Sequence, residues 1–127
     1  MGKHILIIDD SKVVLTTIQD DLESAGYKVS TSEDVIGCHD IIYSIPPPDL
    51  IVMDVKMPYM TGDRLTHLIK DRPHSSHIPV VLISSMARQQ LKALAVECGA
   101  DAFMVKPFDD HDLIIKIEKL LSVDQRV

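Results

Sequence analysis

Three aspartates stand at the ends of two strongly apolar runs, where carboxylates could bind a metal or act as nucleophiles. Asp54 follows residues 50–53 (Leu-Ile-Val-Met), and Asp9 and Asp10 follow residues 5–8 (Ile-Leu-Ile-Ile). An apolar run without polar alternation indicates a strand buried on both faces, as in a parallel sheet. Taken alone, an aspartate at such a position more often starts a turn or caps a helix. Its function therefore depends on what the other strand ends carry.

Two more polar side chains stand where the fourth and fifth predicted strands end. Ser84 follows residues 80–83, and the pair Lys106-Pro107 follows residues 102–105. In a doubly wound parallel sheet the carboxyl ends of all strands lie on one edge, where ligands bind. A single serine there is usually a loop hydroxyl and a Lys-Pro pair is usually a turn. Their coincidence with the three aspartates favours a common site.

Such a site could perform phosphoryl chemistry. Three converging carboxylates repel one another, so the pKa of at least one should rise unless a cation is present. Mg²⁺ suits the site because it takes oxygen ligands and accepts one or two carboxylates with water and phosphate oxygens. The Asp54 carboxylate could then attack phosphorus, while Ser84 and Lys106 could donate hydrogen bonds to the phosphoryl oxygens.

The elements that must position these residues alternate along the chain, which predicts an α/β fold. Alternation of strand and helix implies a doubly wound, five-stranded parallel sheet with helices on both faces. The second strand alternates in polarity and is expected at an edge. The predicted strands are residues 5–8, 28–31, 50–53, 80–83 and 102–105, and the predicted helices are residues 11–25, 33–43, 61–71, 88–98 and 110–121.

Two helices carry more detailed expectations. Val14, Ile18 and Leu22 recur at helical spacing and predict the buried face of the first helix, with Gly26 closing it. Gly37 lies inside the second helix, where it costs roughly 1 kcal/mol relative to alanine. We therefore expect the second helix to be the least stable of the five.

The composition predicts a single globular domain. The chain has 127 residues, a net charge of -6 and 46% hydrophobic residues, which predicts a domain over residues 1–122 and a disordered tail over residues 123–127. The negative charge disfavours nucleic acid as a partner. The sequence has no signal-peptide pattern and no apolar run near the roughly 20 residues of a membrane span. Cys38 and Cys98, on separate helices without metal-ligand spacing, favour a reduced, cytoplasmic protein.

Taken together, these residues resemble the receiver domain of two-component response regulators over the whole chain. The resemblance implies a flavodoxin-like (βα)5 fold with strand order 2-1-3-4-5. It also implies a signalling switch in which Asp54 accepts a phosphoryl group from phosphohistidine on a sensor histidine kinase or a histidine phosphotransfer protein. The motifs that carry it are Asp9-Asp10, residues 53–58 (Met-Asp-Val-Lys-Met-Pro), Gly62, Ser84-Ser85 and residues 106–108 (Lys-Pro-Phe).

The resemblance also implies how a metal is bound. Asp10, Asp54 and the backbone carbonyl of Lys56 would ligate Mg²⁺, and Asp9 would act mostly through a metal-bound water. The chain would then be no enzyme in the usual sense, since it would catalyse only its own phosphorylation and dephosphorylation.

The switching residues depart from the commoner family pattern. Ser84 would be the switch hydroxyl, where threonine is frequent, and it is followed by Ser85, where alanine is frequent. Phe103 would be the aromatic that changes rotamer, but it lacks a hydroxyl, which leaves open how tightly it follows phosphorylation. The output surface would be helix 4, strand 5 and helix 5, bound by an unknown downstream protein. Leu15 and Val13 predict an apolar spot near the phosphorylation site.

Two alternative functions remain open. The chain could be a phosphatase with an aspartyl nucleophile, although such enzymes place a second aspartate two residues after the nucleophile, where this chain has Lys56. It could also be a receiver-shaped interaction module that is not phosphorylated, against which the intact acidic trio argues. Nucleotide binding through a Gly-x-Gly-x-x-Gly loop is excluded because the chain has no such segment.

Overall fold

Five strands alternate with five helices in the computed structural model, which describes residues 2–124. The strands are β1 (His4–Ile8), β2 (Lys28–Ser32), β3 (Leu50–Asp54), β4 (Val80–Ser84) and β5 (Ala102–Val105). The helices are α1 (Lys12–Ser24), α2 (Val35–Ile42), α3 (Gly62–Asp71), α4 (Arg88–Cys98) and α5 (Asp110–Asp124). None of the helices within these residues is long and apolar enough to cross a membrane.

The strands form one parallel sheet in the order β2-β1-β3-β4-β5, which confirms the expected flavodoxin-like topology. The polar strand β2 lies at an edge, as its alternation predicted. In the register between the two central strands, Ile8 of β1 is opposite Met53 of β3. The residues that follow, Asp9 and Asp54, are therefore neighbours at the carboxyl edge of the sheet.

Helices cover both faces of the sheet and bury its apolar residues. Every residue of β3 and β4 is buried, which accounts for their uninterrupted apolar sequences because side chains on both faces meet helices. Successive residues of β1 alternate between the two cores: Leu6 and Ile8 pack against residues of α2, α3 and α4, whereas Ile5 and Ile7 pack against residues of α1 and α5. The buried strands thus provide a rigid support for the loops at their ends.

The buried face of helix α1 differs from the predicted one in a single residue. Leu15, Ile18 and Leu22 are its buried residues, whereas Val14 is only partly buried. The spacing i, i+3, i+7 satisfies helical periodicity as well as the spacing inferred from sequence. The expected apolar spot is therefore wrong for Leu15, which lies in the core, and holds for Val13, whose surface is 75% exposed.

Capping interactions account for the ends of two helices, and a third helix is longer than predicted. Helix α1 ends as expected, since Gly26 has a φ of 98° and its amide donates to Glu23. Helix α2 begins two residues later than predicted because the Asp34 side chain caps it by accepting from the amide of Gly37. Helix α5 continues to Asp124, beyond the predicted end at residue 121. The rest of the expected tail, residues 125–127, lies outside the described residues.

The loop after β3 is held close to the strand by Gly62. Its amide donates to the carbonyl of Val55 at 2.8 Å, and a Cβ atom at this position would lie 2.2 Å from the carbonyl oxygen of Asp54. No side chain can occupy that space without moving backbone atoms. The first residue of α3 must therefore be glycine if Asp54 is to keep its position.

We expect Gly62→Ala to lower the free energy of unfolding by about 2–3 kcal/mol, the range of an overpacked core position. Gly26→Ala is a matched control, because nothing lies within 4 Å of its Cβ and only its positive φ opposes alanine, at about 1 kcal/mol. Urea denaturation measures both variants. Equal losses would mean that the contact between Gly62 and Asp54 relaxes without cost.

Candidate functional site

Three carboxylates meet at the carboxyl edge of the sheet. One ligand oxygen from each of Asp9, Asp10 and Asp54 lies within 4.8 Å of the other two. Asp9 is fully buried and Asp54 is 6% exposed, whereas Asp10 faces solvent. The ends of adjacent strands β1 and β3 bring them together, as the sequence predicted. Among the described residues, no other group of three or more acidic, histidine or cysteine side chains could hold a metal ion.

Lys106 reaches this cluster from the loop after β5. Its ammonium donates to Asp9 Oδ2 at 2.5 Å and lies 3.4 Å from Asp54 Oδ1. The Lys106 amide donates to the carbonyl of Ser84 at 2.8 Å, which ties its loop to the end of β4. One cation therefore neutralises part of the charge of two of the three carboxylates.

The other carboxylate oxygen of Asp9 is also occupied. Asp9 Oδ1 accepts a hydrogen bond from the amide of Ser11 at 2.9 Å. Asp9 thus has a donor at each oxygen, Lys106 on one side and the start of α1 on the other. This arrangement fixes its orientation and leaves Asp10 and Asp54 as the carboxylates with less protein contact.

The environment of Asp54 disfavours its charged form. Burial, followed by the charge of Asp9, raises the pKa of Asp54 from 3.8 to about 6, although Lys106 opposes the shift and Asp10 adds to it. The expected pKa increase of one carboxylate is therefore found at the residue predicted to be the nucleophile. A nearby divalent cation would reverse this effect by stabilising the carboxylate.

Ser84 lies on the strand next to Asp54 and is 1% exposed. Its Oγ accepts a hydrogen bond from the amide of Met86 at 3.2 Å. The amide of Val55, which follows Asp54, donates to the carbonyl of Ile83, which precedes Ser84. The two strand ends are thus joined directly, and Ser84 belongs to the same edge as the acidic cluster.

The two remaining predicted residues lie at the margin of the site. Lys56 is exposed in the loop between β3 and α3. It is the second residue after Asp54, so its backbone carbonyl lies close in sequence to the acidic strand end. Phe103 is half-buried within β5 rather than at the acidic edge, and the guanidinium of Arg88 lies 5.1 Å from the centre of its ring. Arg88 and Met86 were missed in the sequence, because neither belongs to a pattern that local spacing could reveal.

The acidic cluster is flanked by an apolar depression. Val13 and Val14 from α1 and Phe108 from the loop before α5 line a cavity of about 420 Å³ that also reaches Lys106. The exposed Val13 side chain therefore lies beside the site. Apolar surface next to buried charge could contribute to contact with another protein.

Known proteins are similar in sequence to this chain over nearly its full length. The family model of the response regulator receiver domain matches residues 5–118. Chemotaxis protein CheY of Thermotoga maritima is 31% identical over 122 residues, which cover 94% of this chain and 98% of CheY. Response regulator PleD of Caulobacter vibrioides is 33% identical over 125 residues, but these cover only 26% of PleD. The chain spans from 12% to 52% of several other curated relatives.

The fold is shared as well. The receiver domain of a signal transduction histidine kinase from Syntrophus aciditrophicus matches with a TM-score of 0.88 at 31% identity, over 99% of this chain and 95% of that domain. This structural match agrees with the sheet order described above, and the family model and the CheY relative match nearly the whole chain. The chain therefore belongs to the response regulator receiver domain family of two-component signalling.

Proposed function

We propose that this chain is a phosphorylation-activated switch whose phosphoacceptor is Asp54. The observation that supports this most is the position of the Asp54 carboxylate at the end of the most central buried strand. It has an oxygen within 4.8 Å of two other carboxylates and lies 3.4 Å from the Lys106 ammonium. The proposed donor is a phosphohistidine on a sensor histidine kinase or a histidine phosphotransfer protein. The proposed output is a downstream protein that binds the surface of α4, β5 and α5.

The proposed reaction needs a deprotonated Asp54. One carboxylate oxygen attacks phosphorus, and the phosphorus–nitrogen bond of phosphohistidine breaks. The imidazole leaves with the electron pair and takes up a proton, and an aspartyl phosphate remains. Lys106 is placed to neutralise charge on the transferring group, since its ammonium already lies between Asp9 and Asp54.

The donor set fits Mg²⁺. Oxygen atoms from three carboxylates within 4.8 Å are the hard ligands that this ion prefers. Asp10 and Asp54, with the backbone carbonyl of Lys56, would hold it, and Asp9 would act through a bound water because both of its oxygens already accept hydrogen bonds. When bound, the ion would neutralise negative charge on the transferring phosphoryl group.

Switching would depend on Ser84 and Lys106 binding the phosphoryl oxygens. Moving a two-state equilibrium from almost fully inactive to almost fully active requires about 5.5 kcal/mol. Hydrogen bonds to charged groups contribute roughly 1.5–3 kcal/mol each, so the two together would contribute about 3–6 kcal/mol. Both contacts must therefore form mainly in the active state.

The cysteines support the proposed cytoplasmic setting. Cys38 and Cys98 are both free and buried, and burial raises the pKa of the Cys38 thiol to about 11. Both thiols therefore act as packing groups, which suits a reducing compartment.

The proposed function is tested by intact mass measurement after incubation with acetyl phosphate and Mg²⁺. Wild type should gain one phosphoryl group and Asp54→Asn should gain none, because the amide cannot attack phosphorus. Equal labelling of both proteins would disprove the assignment. If neither acetyl phosphate nor a histidine phosphotransfer protein labels wild type, the result contradicts the proposal and favours the alternative of an unphosphorylated interaction module.

Metal binding should depend on Asp10. We expect Asp10→Ala to weaken Mg²⁺ binding by about tenfold or more, because one of very few protein carboxylate ligands is lost. Asp20→Ala is the matched control, since Asp20 is an exposed aspartate on the following helix α1 and does not belong to the acidic cluster. Isothermal titration calorimetry with unchanged affinity in Asp10→Ala would contradict the proposed ligands.

The stability of the metal-free protein should increase in mild acid. Because the pKa of Asp54 is raised from 3.8 to about 6, the folded state binds this proton more tightly than the unfolded state does. The free energy of unfolding should therefore rise as the pH falls from 7.5 to 5, with Asp54 contributing on the order of 1 kcal/mol. Urea denaturation in EDTA at the two pH values measures the change.

Comparison with Asp54→Asn isolates this contribution. Burial and a hydrogen bond with Asp21 also raise the pKa of Asp110 to about 6, but this pair is present in both proteins. The wild type should gain more stability than Asp54→Asn on acidification, and saturating Mg²⁺ should remove the difference. The same pH dependence of stability in both proteins would mean that a group other than Asp54 causes it.

A further inference from the structure

Two cations contact Phe103, the half-buried aromatic residue of β5, one at its ring and one at its backbone carbonyl. The Arg88 guanidinium lies 5.1 Å from the centre of the ring, within the roughly 6 Å over which a cation is attracted to an aromatic face. The Lys116 ammonium, from α5, lies 3.5 Å from the Phe103 carbonyl oxygen. The ring also packs against the core cluster that includes α3 and α4. The orientation of Phe103 therefore depends both on core packing and on its contact with an exposed cation.

Arg88 stands at an unfavourable place on its own helix. It is the first residue of α4, whose N-cap residue Ala87 makes no side-chain hydrogen bond and whose first turn has no acidic residue. A cation is disfavoured at a helix N-terminus, where free amides and the helix dipole are positive. Each of the other four helices has a capping side chain or an acidic first turn, provided by Ser11, Asp34, Asp63, and Asp110 with Asp112.

The contact with Phe103 is consequently the main favourable interaction that the structure gives Arg88. Leu91 anchors the first turn of α4 in the core, but the N-terminal end of the helix has no capping side chain. Arg88 stands at that end, between the preceding loop and the Phe103 ring. A change in either one could therefore be transmitted to the other.

The preceding loop is attached to Ser84. Ser84 Oγ accepts from the amide of Met86 at 3.2 Å, and Arg88 follows two residues later. If the Ser84 side chain rotated toward a phosphoryl group on Asp54 and its oxygen moved away from the Met86 amide, this bond would break and the loop would lose its side-chain attachment to the end of β4. The start of α4 would then move with it.

We propose that Arg88 is the positioning residue that couples the loop of residues 85–87 to Phe103. In the resting protein its guanidinium holds the ring, and displacement of the loop on phosphorylation withdraws it and frees the ring to change rotamer. The trigger rests on the proposed function of Asp54, whereas the resting contact does not.

The experiment follows the aromatic signals of ¹³C-labelled phenylalanine by NMR. The chain has two phenylalanines, so Phe108 provides an internal reference. Arg88→Gln in the resting protein should change the ratio of the two Phe103 ring orientations by about two- to fivefold, the effect of an exposed cation–aromatic contact. Its signals should move towards those of phosphorylated wild type. Arg88→Lys should restore part of the resting position.

Lys92→Gln is the matched control, since it removes an exposed charge one turn further along α4. It should leave the Phe103 signals unchanged, and thermal unfolding should show that all variants are folded. Resting Phe103 signals that are the same in Arg88→Gln and wild type would overturn the proposal. Equal shifts in Lys92→Gln would also overturn it, by showing a general effect of charge.

Spectra of the phosphorylated proteins distinguish failure of this proposal from failure of the proposed function. On phosphorylation, Arg88→Gln should show a smaller further shift of Phe103 than wild type does, because its ring is already released. A further shift of wild-type size would overturn the coupling. If mass measurement shows no phosphoryl group on wild type, the proposed function and the trigger both fail, and the resting spectra alone decide whether Arg88 holds the ring.

Discussion

The contact of Lys106 with Asp9 and Asp54 is the interaction on which the acidic edge depends. Two carboxylates within 4.8 Å of each other repel by about 3 kcal/mol or more at an effective dielectric constant near 20. A single ammonium, brought from the fifth strand, offsets part of this repulsion. The ends of β1, β3 and β5 are thereby coupled, since moving any one of them changes the charge balance of the other two.

The buried strands make this coupling precise. Every residue of β3 is buried, and Gly62 lies so close to the Asp54 carbonyl that no Cβ can be added there. Asp54 therefore cannot retreat from the interior or from Asp9, and burial, followed by the charge of Asp9, raises its pKa to about 6. A more flexible loop would have relieved the repulsion by moving. The rigid backbone thus keeps the Asp54 carboxylate in a position where it readily binds a cation or a proton.

Much of this arrangement could be predicted from local sequence, and the exceptions share a cause. Apolar runs identified four strands, polar alternation identified β2, and strand ends identified the aspartates, Ser84 and Lys106. Periodicity alone could not choose between Val14 and Leu15 on α1, because adjacent residues fit a 3.6-residue repeat almost equally well. The pairing of Lys106 with Asp9 spans 97 residues, and the contact of Arg88 with Phe103 joins separate elements. No local pattern encodes such contacts.

The bond between Ser84 and Met86 determines the direction in which the edge can respond. A neutral hydrogen bond of this kind contributes about 0.5–1.5 kcal/mol, whereas a bond to a charged acceptor contributes roughly 1.5–3 kcal/mol. A hydroxyl can donate one hydrogen bond while it accepts another, so Ser84 would leave Met86 only if its oxygen had to move in order to reach a phosphoryl group on Asp54. The net gain of that exchange, about 0–2.5 kcal/mol, is well below the 5.5 kcal/mol of a complete switch. Lys106 must accordingly move its ammonium from Asp9 towards the phosphoryl group for the response to be complete.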